Sequence, residues 1–288
     1  MKEIQSPRFA EVFVPDGAPL ADALARTTHL ALGAHHDDLE IMAIDGVLSC
    51  YERKDRWFTG VVVTNGAGAP LSGPFASITA EQLIATRAAE QRSAAATGKY
   101  SAVIMLNHPS EEVKDPRGRG VVDEIRSIAE ACAAKTVYTH NPFDKHDTHV
   151  AVCARVIEAL SSLPQQARPE KLYGCEVWRD LDWLPDELKV VLDCSEHVAL
   201  QEELIRVFES QIGGGKRYDL AAMGRRRANA TYLDPRTVDQ IERAAYAIDL
   251  TPTIRGSESL SGLSERVLNE FHEDVARRLA SVSAEEAP

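Results

Sequence analysis

The sequence predicts an α/β fold, with a Rossmann-like, mainly parallel sheet, helices on both faces and a largely helical C-terminal part. Three observations point there. Short β-branched apolar runs alternate with amphipathic stretches through most of the chain. These runs show little two-residue alternation, as expected of strands covered on both faces. Polar clusters follow the runs repeatedly at their carboxyl ends, where open α/β sheets bind ligands.

Each element follows from local pattern. Residues 29–34 read as the first strand and 39–53 as a helix. The buried, β-branched run WFTGVVVT at 57–64 is the second strand, and it leads into a glycine-rich loop at 65–74. A helix is expected over 79–97, a third strand over 102–106 and a helix over 121–133. The fourth strand is TVYT at 136–139, followed by a loop and a helix over 147–160. Residues 172–177 and 189–192 are further strand candidates, and 247–250 a short one. Without a long linker or a repeat, residues 1–283 read as a single domain. Residues 1–27 form an N-terminal extension, 196–283 a helical C-terminal part and 284–288 a frayed tail.

Composition narrows the function classes. The chain has 288 residues, 44% hydrophobic and 26% charged, ordinary for a globular protein. Acidic residues outnumber basic ones 44 to 32, a net charge of −12 that disfavours nucleic-acid binding. The triplet Arg225-Arg226-Arg227 reads as a solvated helix face. Five cysteines form no CxxC pair and fall mostly in apolar segments, which suits buried thiols in a reducing compartment. The N-terminus lacks the regions of a signal peptide, and no apolar run approaches the ~18 residues of a membrane span. A cytoplasmic protein without membrane contact is expected. A homo-oligomer is compatible with the sequence.

Two histidine-rich clusters carry the chemistry. The stretch LALGAHHDDLEIMAIDGVL places His35, His36, Asp37 and Asp38 directly after the first strand. In THNPFDKHDTHVAVCARVIEAL, His146 and His149 are three residues apart at the start of a helix, on one side of its first turn. His35 and Asp38 share that spacing. Two histidines and a carboxylate with an open fourth position suit catalytic zinc, whose water ionises near neutral pH. Asp37 would remain as a general base, and His36 or His146 could polarise a carbonyl or protonate a leaving group. Taken singly, each cluster has a structural explanation: Asp37 or Asp38 capping the helix, with Glu40 completing a box-like pattern, and two half-exposed loop histidines. Two such clusters at one sheet edge favour a metal site.

These residues also carry a family resemblance. Ala34-His35-His36-Asp37-Asp38-Leu39-Glu40 resembles the A-H-P-D-D-x-E signature of the PIG-L/LmbE-like de-N-acetylases, metal-dependent enzymes acting on N-acetylglucosamine-containing substrates. Asp144-x-His146-Asp147-Thr148-His149 resembles their distal D-x-H-x-D-H motif. VVVTNGAGA at 61–69, Arg87-x-x-Glu90 with Ala94 to Gly98, and Asp193 with Glu209 to Gln211 are similar to further family segments. The likeness spans residues 28–215. It implies metal ligation by His35, Asp38 and His149, Asp37 as general base, and His146 as oxyanion stabiliser or acid. The implied metal is zinc, with ferrous iron the second candidate. Arg87 would lie near the substrate or brace the metal loop, and Asn107, Asp144 and Arg179 are the other expected substrate contacts.

Three departures from the pattern stand out. His36 occupies the proline position, and Thr148 replaces the acid before the distal histidine, leaving Asp147 or Asp144 to supply the carboxylate behind it. Asn107-His108 stands where relatives often place an acidic substrate contact. Weaker signals are Trp178 and Trp183, which suit sugar stacking or a core edge equally, the GxG at 66–68, and Gly213-Gly214-Gly215 as a helix stop or hinge. The expected activity is de-N-acetylation of an N-acetylated amino sugar or small conjugate by metal-activated water. The rivals are a 2-His-1-carboxylate non-haem iron enzyme and a non-catalytic sugar- or nucleotide-binding α/β protein.

Overall fold

The structure is a computed structural model that describes residues 11–68 and 72–283. The expected frayed tail lies outside the described residues. A single eight-stranded sheet organises them: β1 (Glu11–Phe13), β2 (His29–Gly33), β3 (Phe58–Thr64), β4 (Ala102–His108), β5 (Thr136–His140), β6 (Lys171–Cys175), β7 (Lys189–Asp193) and β8 (Ala244–Asp249). The spatial order is β1-β4-β3-β2-β5-β6-β8-β7. Strands β4, β3, β2, β5 and β6 are parallel neighbours, whereas β1 joins β4, and β8 joins both β6 and β7, antiparallel.

This order positions the site. From β2 the chain moves outward through β3 to β4, then returns to the other side of β2 to lay down β5. The direction reverses between β2 and β5, and the loops leaving those two strands diverge there to leave a crevice. Register pairs His29 of β2 with Phe58 of β3 and with Thr136 of β5.

Alternate residues of each strand point to opposite faces, and both faces are covered. Leu30, Leu32, Val61, Val63, Ile104 and Val137 are buried against Ile125 of α6 (Gly120–Cys132) and Val152 and Val156 of α7 (Asp147–Ser161). On the other face Ala31, Val62, Val103 and Tyr138 meet Leu39 of α2 (Asp38–Met42), Val47 of α3 (Ile44–Cys50), Ala94 of α4 (Ala80–Thr97) and Leu204 of α8 (Val198–Arg206). Truncating a fully buried leucine such as Leu32 to alanine costs about 2–5 kcal/mol. Helix α4 begins with a full capping box, Thr79 accepting from Gln82 N and the Gln82 side chain accepting from Thr79 N.

The structure refines several expectations. Residues 11–27 are part of the fold: β1 closes one sheet edge, and α1 (Leu20–Ala25) buries Ala23 and Leu24. Three residues are too few for a two-residue period to register. The helix expected over 39–53 breaks at Ala43, whose φ of −107° and ψ of 24° leave the helical region. Past that break Gly46 sits so close to Tyr138 that a Cβ would lie 2.7 Å from the ring. Strands β4 and β5 run on to His108 and His140, and a short helix α5 (Ser110–Lys114) follows β4.

The C-terminal part is helical around β8, with α9 (Glu209–Ile212), α10 (Tyr218–Thr231), α11 (Thr251–Arg255) and α12 (Leu260–Val282). The reading of the arginine triplet as a solvated face is corrected at Arg226. Its guanidinium is buried and donates to the carbonyls of Glu40 and Ile41 at 2.7 and 3.2 Å, tying α10 to α2. Helical periodicity marks where such a residue lies on its own helix, but not that carbonyls of a distant turn await it. No described helix is long and apolar enough to cross a membrane.

Candidate active site

The crevice between β2 and β5 gathers both histidine clusters. After β2 the chain turns sharply, and Asp37 adopts a left-handed φ of 93° before α2 starts. The strain is held by the surroundings: Asp37 N faces Gln91 Oε1 at 3.4 Å, and Arg87 donates to His36 O at 3.1 Å and Gly66 O at 2.8 Å. Neither Asp37 nor Asp38 caps the helix with its side chain, and Glu40 turns instead to Tyr100 and Gln91, both at 2.8 Å. The helix-cap explanation of this cluster therefore does not describe the molecule.

Asp38 instead lies at the centre of the histidines. Its Oδ2 accepts from His35 N at 2.7 Å and lies 3.3 Å from His35 Nδ1, 3.3 Å from His140 Nε2 and 3.5 Å from His149 Nε2. Burial alone would raise the Asp38 carboxyl, but the His149 and His140 rings hold it well below the usual carboxylate range. Two overlapping sets of convergent donor atoms result, His35/His146/His149 and Asp38/His140/His149.

Hydrogen bonding of the rings sorts these candidates. His149 Nδ1 faces Asp144 Oδ2 at 3.2 Å, so its proton sits there and the Nε2 lone pair is turned to Asp38 and His35. His35 Nδ1 points back at His149 Nε2 from 3.1 Å. His140 Nε2, by contrast, accepts from Ala34 N at 2.9 Å, which occupies its lone pair. His146 is the N-cap of α7, and its Nδ1 accepts from Thr148 N at 3.3 Å, so the neutral ring carries its proton on Nε2. The open donors are then His35 Nδ1, Asp38 Oδ2 and His149 Nε2, separated by 3.1, 3.3 and 3.5 Å. Ligands at about 2.1 Å around a tetrahedral zinc are about 3.4 Å apart, so this donor set fits such an ion.

Around these atoms opens a cleft of about 280 Å³. Its walls include Asp37, Arg87 and His146, with Trp178 from the segment after β6 and Lys216 and Tyr218 from the C-terminal part. Asp37 is almost fully buried, and desolvation pushes its carboxyl well above the usual range despite Arg87 Nη2 at 3.8 Å. His146 is shifted down by burial and by the neighbouring His149 and His35, which favours the neutral ring.

The sequence-derived residues fall into two groups. His35, Asp37, Asp38, Arg87 and His146 line the cleft, and His149 lies directly beneath with no exposed surface. Asp144 is brought to the same place, behind His149, where it supplies the carboxylate that Thr148 cannot. It also accepts from Trp178 N at 3.1 Å and His146 N at 3.1 Å. Asn107 and Arg179 are both exposed and are not among the residues lining this cleft; Ser110 of α5 lines it near the end of β4. His36 belongs to neither convergent set. Its ring is buried beside Gly66, where a Cβ would come within 3.2 Å of Nδ1 and 2.4 Å of Arg87 Nη1. With a φ of 66° as well, Gly66 accommodates glycine alone without strain.

The supporting motif pieces also meet. Gln211, with its amide oxygen facing Arg87, accepts at 3.2 and 3.3 Å, and Ser210 donates to Glu90 through N and Oγ, both at 2.7 Å. Sequence reasoning missed His140, which reads as the polar residue ending an apolar strand, and the wall made by Lys216 and Tyr218. Of the two tryptophans that suit sugar stacking or a core edge equally, Trp178 stands at the cleft, while Trp183 packs on Phe143 and Phe271 at the edge of the core.

Residues 30–160 match the model of the PIG-L family, described as GlcNAc-PI de-N-acetylase, and this stretch of the chain is a PIG-L family domain. Among solved structures the chain is similar to the conserved protein TT1542 from Thermus thermophilus, with 18% identity and a TM-score of 0.58 over 78% of this chain and 94% of that one. It is similar to GalB, the 4-carboxy-2-hydroxymuconate hydratase from Pseudomonas putida KT2440, with 14% identity and a TM-score of 0.58 over 78% and 96%. It also resembles the N,N'-diacetylchitobiose deacetylase from Pyrococcus horikoshii, with 17% identity and a TM-score of 0.55 over 76% and 83%. At these identities the likeness is one of fold. No curated protein matches the chain.

Proposed function

We propose that this chain is a metal-dependent amidohydrolase that removes the acetyl group from an N-acetylglucosamine-type sugar or small conjugate. The observation that carries the reading is the convergence of His35 Nδ1, Asp38 Oδ2 and His149 Nε2 at tetrahedral spacing, beside the buried carboxylate of Asp37. These three residues would hold zinc, or ferrous iron as the second candidate, within a PIG-L family domain. Such an ion supplies Lewis acidity and water of lowered pKa.

The chain's own groups do the rest. Asp37, its carboxyl raised by burial and therefore more basic, is suited to take a proton from the attacking water and pass it to the departing amine. His146, with its proton on Nε2, donates to the amide oxygen as negative charge develops there. Asp144 fixes the tautomer of His149. Arg87 braces the turns at His36 and Gly66 and keeps them at the cleft floor. Trp178 and Tyr218 offer aromatic faces for a sugar ring. Acetate and the free amine leave. The five cysteines are all buried and unpaired, which supports a cytoplasmic enzyme.

One fold neighbour is a hydratase, so water addition to a carbon–carbon double bond is the second reading. Elemental analysis of purified wild type and His149→Ala, alongside acetate release from N-acetylglucosamine conjugates, separates the outcomes. One equivalent of zinc or iron, lost in the variant together with acetate release, is the expected result. A metal-free wild type that stays inactive after zinc or iron is restored overturns the proposal. Metal binding without acetate release from any conjugate turns the reading towards hydration.

A further inference from the structure

We propose that Lys216 is a specificity-determining residue that selects substrates carrying an anionic group, phosphate or carboxylate, on the part of the molecule remote from the acetamide. This rests on the reading of the cleft as the substrate site, and it extends that reading to substrate class.

Lys216 stands at the cleft because the turn before it is forced. A Cβ on Gly214 would lie 2.3 Å from Ser210 O, and Gly215 has a φ of 108° that L side chains rarely adopt. Lys216 N then donates to Gln211 O at 3.0 Å, and Ser72 Oγ donates to Gly214 O at 2.5 Å. The three glycines are therefore a tight, anchored turn that delivers one lysine to the cleft wall.

Its ammonium is held but not neutralised. Lys216 Nζ lies 4.7 Å from the centre of the Trp178 ring, a cation–π contact that fixes position while keeping the full charge. Among the described residues no carboxylate lies within ion-pairing distance of it, whereas the other cleft cation, Arg87, faces Asp37 at 3.8 Å and two carbonyls. The same indole also neighbours the reaction centre, with the His146 ring 6.5 Å from Trp178. Trp178 thus stands between the His146 side of the cleft and Lys216, and all three residues line it. A chain with a net charge of −12 repels acidic substrates overall, so a cation left uncompensated inside its cleft marks where one would be accepted.

Calorimetric titration of N-acetylglucosamine, N-acetylglucosamine 6-phosphate and N-acetylmuramic acid into wild type, Lys216→Met and Lys216→Arg tests this. The expected result is that one acidic sugar binds wild type at least about tenfold tighter than the neutral one. That preference disappears in Lys216→Met and returns in Lys216→Arg. Which acid is preferred tells phosphate from carboxylate. Equal binding of acidic and neutral sugars, a preference that survives Lys216→Met, or no binding of either acid at millimolar concentration overturns the proposal. Binding and acetate release are measured separately, so an acid preference in a protein that releases no acetate would sink the deacetylase reading and leave this one standing.

Discussion

The Asp144 carboxylate lies 3.2 Å from Nδ1 of His149, across the ring from Asp38, whose Oδ2 lies 3.5 Å from Nε2 of the same imidazole. One ring thus links an outer carboxylate to an inner one. The outer contact decides which nitrogen is free. Asp144→Asn removes the charge that orients this proton. Zinc affinity, measured by competition with a chromophoric chelator, is expected to fall about 10- to 100-fold. Unchanged affinity would mean that Asp144 serves only the backbone N–H groups of His146 and Trp178.

The lone-pair assignment separates two histidines that stand equally near Asp38. His149→Ala is expected to lose the bound ion. His140→Gln, where a side-chain amide oxygen can still accept from Ala34 N, is expected to keep one equivalent by elemental analysis. Loss of metal in both variants would move His140 into the ligand set.

Asp37→Asn is isosteric and keeps the turn, but it cannot take a proton. Its kcat for acetate release is expected to fall about 10²- to 10⁴-fold, with metal content as in wild type. Retained activity would remove Asp37 from the proton path.

Stability should depend on pH through His108, which is buried between Glu124 at 2.6 Å and Glu112 at 3.2 Å. Burial pulls its pKa down, but the hydrogen bonds and charges of the two glutamates outweigh that and raise it. The protonated ring therefore stabilises the fold fully below the unfolded value of about 6.5, and this contribution is lost as pH rises through the raised folded value. Urea midpoints of His108→Gln should fall furthest behind wild type near about pH 5.5 and approach it in alkali. A difference independent of pH would show that only packing is lost.

Gly66→Ala should cost about 1–3 kcal/mol, because the residue holds a φ of 66° and its Cβ would press on Arg87. Thermal unfolding measures it. A stability equal to wild type would mean that the Arg87 brace is looser than its contacts imply.

Read alone, the sequence determined the parallel α/β architecture, the order of its main strands and helices, and two histidine clusters at one sheet edge. Those properties are local: apolar period, β-branched runs and motif spacing are written within a few residues of one another. It also carried the PIG-L resemblance, since both histidine motifs lie within single strand-to-helix connections. What it left open depends on partners far along the chain. Only the fold placed Asp144 behind His149, occupied His140 with Ala34 N, buried Arg226 against α2, and kept Asn107 and Arg179 out of the cleft. Only the fold brought Lys216 over Trp178, across segments with no shared periodicity. A side chain's type sets what it can bind, but whether its lone pair or charge is still free is decided by the neighbours that tertiary packing supplies.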